Sequence, residues 1–317
     1  THRIMGAGHP RMSFELNTFI KIEPPHYRVD SDYIMRKGNV QPIRSWAVGQ
    51  LMTAKSMLDT LADSKRNHDG IFPELVLFDC HACHHPMSNK RWSSRNAMPP
   101  GVVRLNDSSL LMVQAILQAT DAAAAKQFST LNMQLQIATT GNTTKGSQAA
   151  FSRVEETAKN LSKLVTELLP KIEKSNLDQS KLQDIFMVLV KTGPSYTDYA
   201  GAEQAYMAIA NVGNLMLESS PGGASEQLKK SIDRLKKELA NEDTFAHKNF
   251  VEEYSKLGQL MQDKNGRKYE WKAEEQIFPL SRALINYFDS KAYKDKVKES
   301  QAQLSFEIDW ECYKGKI

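Results

Sequence analysis

Cysteine is scarce in this chain: three residues among 317. That is too few for the disulfide framework of a small secreted domain, and it rules out a site in which zinc takes four thiolates. Long apolar runs are missing too. None approaches the roughly 20 residues a helix needs to span a bilayer, so no transmembrane segment is expected. There is no glycine-rich phosphate loop, no pair of carboxylates at a convincing spacing and no nucleophile–base arrangement. The basic residues neither cluster along one element nor alternate with aromatics, so nucleic-acid binding is not expected. The sequence opens at Thr1 with THRIMGAGHPR, lacking both an initiator methionine and a signal-peptide pattern, and reads as a processed or truncated product.

What is present is unevenly spread. Residues 1–108 hold 14 Lys and Arg against 10 Asp and Glu, which accounts for the whole net charge of +4; the rest carries 27 of each sign. Seven of the eight histidines (His2, His9, His26, His68, His81, His84 and His85) fall in the same stretch, and only His247 lies beyond it. Chemistry is therefore expected in the first third.

Proline divides the chain the same way. Eight of the twelve prolines occur by residue 100, and few periodic stretches survive between them. One does: SWAVGQLMTAKSMLDTLADS (45–64) sets Trp46, Leu51, Met52, Leu58, Leu61 and Ala62 around a broad face and is read as a helix capped by Ser45. Asn106-Asp107-Ser108 reads as the start of another. From Leu110 to Ala138 apolar residues then step by three or four for almost eight turns. After a break at 139–147 come Val154, Ala158, Leu161, Val165, Leu168 and Ile172, with Pro170 expected to bend the helix near its end. Leu228, Ile232, Leu235 and Leu239 repeat the spacing, as do Phe250, Tyr254, Leu257 and Met261, and the Ala- and Gly-rich 199–217 permits close helix approach. The expectation is a mainly α protein: an irregular, loop-rich domain over 1–108, then a helical bundle over 109–317 with a possible role in assembly.

The irregular part holds the one dense motif, FDCHACHHPM (78–87). Cys80-His81-Ala82-Cys83-His84 fits C-x-x-C-H, the attachment sequence for c-type haem. Two thiols at this spacing can add to the two vinyl groups of one porphyrin, and the histidine after the second is then held under the iron as proximal ligand. Half of a mixed zinc site would need scattered histidines, since Cys312 is far away. A redox dithiol lacks the surrounding βαβ pattern. His85 cannot share the iron with His84, because consecutive side chains diverge; it either reaches a neighbouring iron or lies on the surface.

Around this motif GAGHPRMSFELNTF (6–19), PPHYRVDSDYIMRKG (24–38), WAVGQ (46–50), FPELVLFDCHACHHPM (72–87) and VVRLNDSSLLM (102–112) follow one another. Together they resemble the C-terminal part of multihaem c-type cytochromes of the tetrahaem type, the group that includes the electron carrier of ammonia oxidation. The resemblance covers about residues 1–115. It implies covalent haems, mostly with two axial histidines, stacked for electron transfer. It carries haem attachment to Cys80, Cys83 and His84, and makes His9 of the Gly-His-Pro-Arg stretch and His2 candidate distal ligands. Relatives of this kind have further attachment motifs upstream of the Gly-His-Pro segment, whereas this chain begins there, so the haem count is left open at one or more.

His26 and His68 rank behind His9 and His2 as ligands, and His81 is expected to face solvent. His247 is read as an ordinary bundle histidine, and Met87 and Met98 as packing residues, since Met98 follows His84 too closely to travel round a porphyrin edge. Arg11, Arg28, Arg36, Lys37, Arg91, Arg95 and Arg104 fit either haem propionates or a face for an acidic redox partner. The resulting expectation is an electron carrier rather than a catalyst, outside the cytoplasm in the periplasm or at the cell surface of a prokaryote, working with redox partners that bear haem in an oligomer or complex. The alternatives are a haem enzyme or small-molecule sensor with an open axial position, and a structural subunit whose bundle assembles a multi-chain wire.

Overall fold

Helix formation takes over where the proline punctuation thins, and proline itself starts the first long helix. The computed structural model describes residue 7 and residues 13–23, 27–39, 41–69, 72–79, 104–141, 148–219, 223–240 and 247–260. The chain divides into two units, Thr1–Trp271 and Lys272–Ile317, and all described residues belong to the first. The fold is mainly α. Ten α-helices are described: α1 (Leu16–Ile22), α2 (Ser31–Lys37), α3 (Pro42–Ala62), α4 (Ser108–Thr120), α5 (Ala122–Gly141), α6 (Gln148–Lys174), α7 (Gln179–Lys191), α8 (Tyr199–Ser219), α9 (Gly223–Glu238) and α10 (His247–Leu260). A two-residue antiparallel ladder, β1 (His68–Asp69) with β2 (Phe72–Pro73), follows α3. No described helix is long and apolar enough to cross a membrane.

Helix α3 begins three residues before the expected Ser45. Pro42 takes the first helical position, where its missing N–H is no loss and its fixed φ suits the helix, and Gln41 is the cap. Trp46, Leu51, Leu58 and Leu61 are buried as expected, but Met52 is 52% exposed. At about 100° per residue it stands some 240° round from Trp46 and leaves their face.

The periodic stretch from Leu110 to Ala138 is two helices, not one. Asp121 adopts an extended conformation between them, and its side chain accepts the Ala124 N–H at 3.0 Å, capping α5 as α4 ends. One non-helical residue shifts the helical phase too little for a three-or-four stepping to register it. Asp107 is the N-cap residue of α4, as the sequence indicates. Helix α6 runs through Pro170 to Lys174, and its seam from Val154 to Ile172 is buried throughout.

The packing closes two rings of four helices. In the first, α3 lies on α6, α6 on α5, α5 on α4 and α4 on α3; in the second, α7, α8, α9 and α10 close in the same order. Helix α4 also packs on α7 and α8, so the rings share one apolar core. Two glycines allow the second ring to close. A Cβ at Gly213 of α8 would lie 2.9 Å from Ile232 Cδ1 of α9. A Cβ at Gly193, in the turn after α7, would lie 2.7 Å from Cδ1 and 3.1 Å from Cγ of Tyr254 on α10. The Tyr254 ring is fully buried and edge-packed against Tyr196 at 5.9 Å, so it has no room to retreat. Gly193→Ala is therefore expected to cost about 1–3 kcal/mol by overpacking, readable as a lower urea midpoint with an unchanged slope.

Helix α1 is inverted relative to an ordinary surface helix. Glu15 and Asn17 at its start are buried, whereas Phe14, Leu16, Ile20 and Ile22 are 46–69% exposed. Polar contacts hold it. The Glu15 carboxylate accepts the N–H groups of Asn17 and Thr18 at 2.9 and 2.7 Å and an amide N–H from Asn211 of α8.

Candidate functional site

The residues on either side of 80–103, the stretch with the C-x-x-C-H motif, form a stem that is described on both sides. Residues 75–77 form a 3-10 turn, after which Phe78 bridges antiparallel to Leu105. The Asp79 N–H donates to the Arg104 carbonyl at 2.7 Å, and the Asn106 N–H to the Leu77 carbonyl at 2.9 Å. Apolar burial of Leu77, Phe78 and Leu105 in the shared core fixes the two strands. Asp79 and Arg104, the described residues on either side of 80–103, are thus tied together.

Side-chain charge ties the stem to the second ring. Arg104 Nη2 lies 2.8 Å from Asp79 Oδ2 and 2.9 Å from Asp198 Oδ2, and Nη1 donates to Thr197 Oγ1 at 3.4 Å. All three charged side chains are under 8% exposed. Asp198 also accepts the Gly201 N–H at 2.8 Å through its other oxygen, so the carboxylate that holds the stem caps α8 as well. Asp107 stands beside this group and takes a hydrogen bond from Gln136 of α5 at 3.2 Å. Burial opposes the charge on Arg104, but Asp198, Asp107 and Asp79 outweigh it and raise its pKa above the ordinary arginine value. The guanidinium stays charged, with three aspartates close to it.

A second anchor lies close by on α8. Ser13 hydrogen-bonds to Glu203, and Gln204 Nε2 donates to the Phe14 carbonyl at 3.4 Å. Gln50 of α3 in turn donates to Gln204 at 3.3 Å. Asp198 and Gln204 are six residues apart, about 9 Å along the axis at 1.5 Å per residue. The segment that follows the Gly-His-Pro-Arg stretch and the stem on either side of 80–103 are therefore both fastened to the start of α8.

The proposed ligands themselves, Cys80, Cys83, His84, His85, His2, His9 and His26, lie outside the described residues, as do His81, Met87, Met98, Cys312, Arg11, Arg91 and Arg95. His68 is in β1 opposite Pro73, and His247 opens α10. Among the described residues, no group of three or more His, Cys, Asp and Glu is placed to hold a metal. Of the basic residues expected to meet propionates or a redox partner, Arg28 and Lys37 are exposed, Arg36 pairs with Asp32 at 2.6 Å, and Arg104 is buried on protein carboxylates. Sequence reasoning missed the Arg104 clamp. Its only trace is an aspartate just before Cys80 and an arginine opening the stretch that leads to α4.

No family model matches the chain, and no curated protein or solved structure matches it.

Proposed function

We propose that the chain is an electron-transfer protein carrying covalent haem c on the segment between Asp79 and Arg104. The observation that carries this reading is the C-x-x-C-H sequence at 80–84, between Asp79 and Arg104, which are tied by a backbone hydrogen bond and a buried ion-pair cluster. The donor set fits the group: two thiols for the vinyl carbons and one imidazole for the iron. When bound, the haem supplies the one-electron couple. The protein's part is to hold the two ends of the attachment segment together and to bring a second imidazole within reach.

Covalent geometry supports the last point. His9 is four residues from Ser13 and His84 five from Asp79, so at no more than about 3.5 Å per residue they extend at most about 14 and 17 Å from anchors on the same end of α8. Among the candidate distal ligands His9 is thereby favoured over His2, which stands seven residues further out. Maturation of c-type haem takes place outside the cytoplasm, and the working partners in this reading are other haem-bearing redox chains. The test is a reduced-minus-oxidised spectrum of the intact protein. Low-spin bands unchanged by carbon monoxide are the expected result; a high-spin ferrous haem that takes up carbon monoxide would favour an enzyme or sensor with an open position.

A further inference from the structure

The shared apolar core begins at Ile43, and among the described residues none from Ser13 to Glu23 belongs to it or packs against it as a partly buried apolar side chain. Helix α1 nevertheless lies on α3 and α8. Polar groups make the connection. Asn17 Nδ2 donates to the Pro42 carbonyl, at the start of α3, at 2.5 Å. Asn211 Nδ2 of α8 donates to Glu15 Oε2 at 2.5 Å and to Thr18 Oγ1 at 3.2 Å. Ser13 and the Phe14 carbonyl add the contacts with Glu203 and Gln204.

Glu15 joins the two functions of this contact. Its Oε1 accepts the Asn17 N–H, while Oε2 accepts the Thr18 N–H, the Thr18 hydroxyl at 2.7 Å and the Asn211 amide. One buried carboxylate therefore caps α1 and also fastens it to α8, and among the described residues its hydrogen-bond partners are all neutral donors. Helix formation and docking depend on the same group. A helix of seven residues is too short to persist by itself in water, so the helix is expected to go when the dock goes. The contact is looser beside Phe14: the links from Gln50 to Gln204 and from Gln204 to Phe14 are 3.3 and 3.4 Å long, and Gln50 Oε1 finds no protein partner. Directional bonds of this kind are exchanged for water together. The two rings are held instead by apolar burial in which the segment has no share.

We infer that residues 13–23 form a strap with Glu15 as its latch, which opens from α3 and α8 as one unit while both helical rings stay folded. The proposal does not rest on the haem reading, because its test reads backbone amides and not the cofactor; on that reading it adds that His9, four residues before Ser13, is held no more tightly than the strap. The experiment is hydrogen–deuterium exchange of the full-length protein read by mass spectrometry, without urea and in urea below the unfolding transition. In the wild type the amides of 17–23 are expected to exchange about 100-fold or more faster than those of the α6 seam, with little dependence on urea, because their opening exposes little surface. Glu15→Gln, which sets an amide N–H against donors, and Asn211→Ala, on the far side of the contact, should each speed the strap by about 10–100-fold and leave α6 unchanged. In the double variant the effect should fall short of the product of the two, since they share one hydrogen bond. The Asn211 variant separates docking from simple fraying, which a change on α8 would not alter. Strap amides that exchange only with global unfolding, a strap indifferent to Asn211→Ala, a Glu15→Gln effect spread equally over strap and α6, or two effects that multiply in full would each overturn the proposal.

Discussion

Arg104→Met is expected to lower the unfolding free energy by about 3–5 kcal/mol. Methionine matches the volume of the arginine stem, so the loss is one of charge. Asp79 and Asp198, each about 4% exposed, would lose the guanidinium that both of them meet. Such groups either take up protons or open the structure to water. Arg104→Lys should recover only part of the loss, since one ammonium cannot present the planar fork that meets Asp79, Asp198 and Thr197 together. Denaturant unfolding measures both. Adding Asp79→Asn to Arg104→Met should restore part of the stability, because one orphaned charge is gone; a double-mutant cycle with no coupling would show that the two side chains do not act as a unit.

The second large effect is chemical. Replacing Cys80 and Cys83 together by serine is expected to abolish covalent haem while leaving the helix content intact. The apolar residues on either side of the motif, Leu77, Phe78 and Leu105, are held in the core independently of the two cysteines. The measurement is haem staining after denaturing electrophoresis, paired with far-ultraviolet circular dichroism. Haem retained by the doubly substituted chain would refute covalent attachment at this motif.

The parts of the fold that could be read from the sequence are those governed by periodicity. The seam of α6, the buried face of α9 and the stripe Phe250–Tyr254–Leu257 follow from three-or-four spacing alone, because a helix that buries one face must repeat at that interval. Local chemistry gave the start of α4 at Asp107. What could not be read depends on contacts distant in sequence. The division between α4 and α5 turns on one side chain capping its neighbour. The closure of two helical rings through α4 has no signature in either ring. The clamp joins residues 79, 104 and 198, and nothing local marks an aspartate before a helix as the partner of an arginine 94 residues earlier. The C-x-x-C-H motif is the opposite case: the expectation of haem comes from five consecutive residues without the fold, and the fold adds only how the chain on either side is held.

The most direct measurement is the intact mass of the protein purified from a host able to mature c-type cytochromes. The polypeptide alone is 35.8 kDa, and one covalent haem on Cys80 and Cys83 should add the mass of a single porphyrin with its iron, retained through denaturation. A colourless protein at the bare polypeptide mass, with zinc recovered in stoichiometric amount, would contradict it.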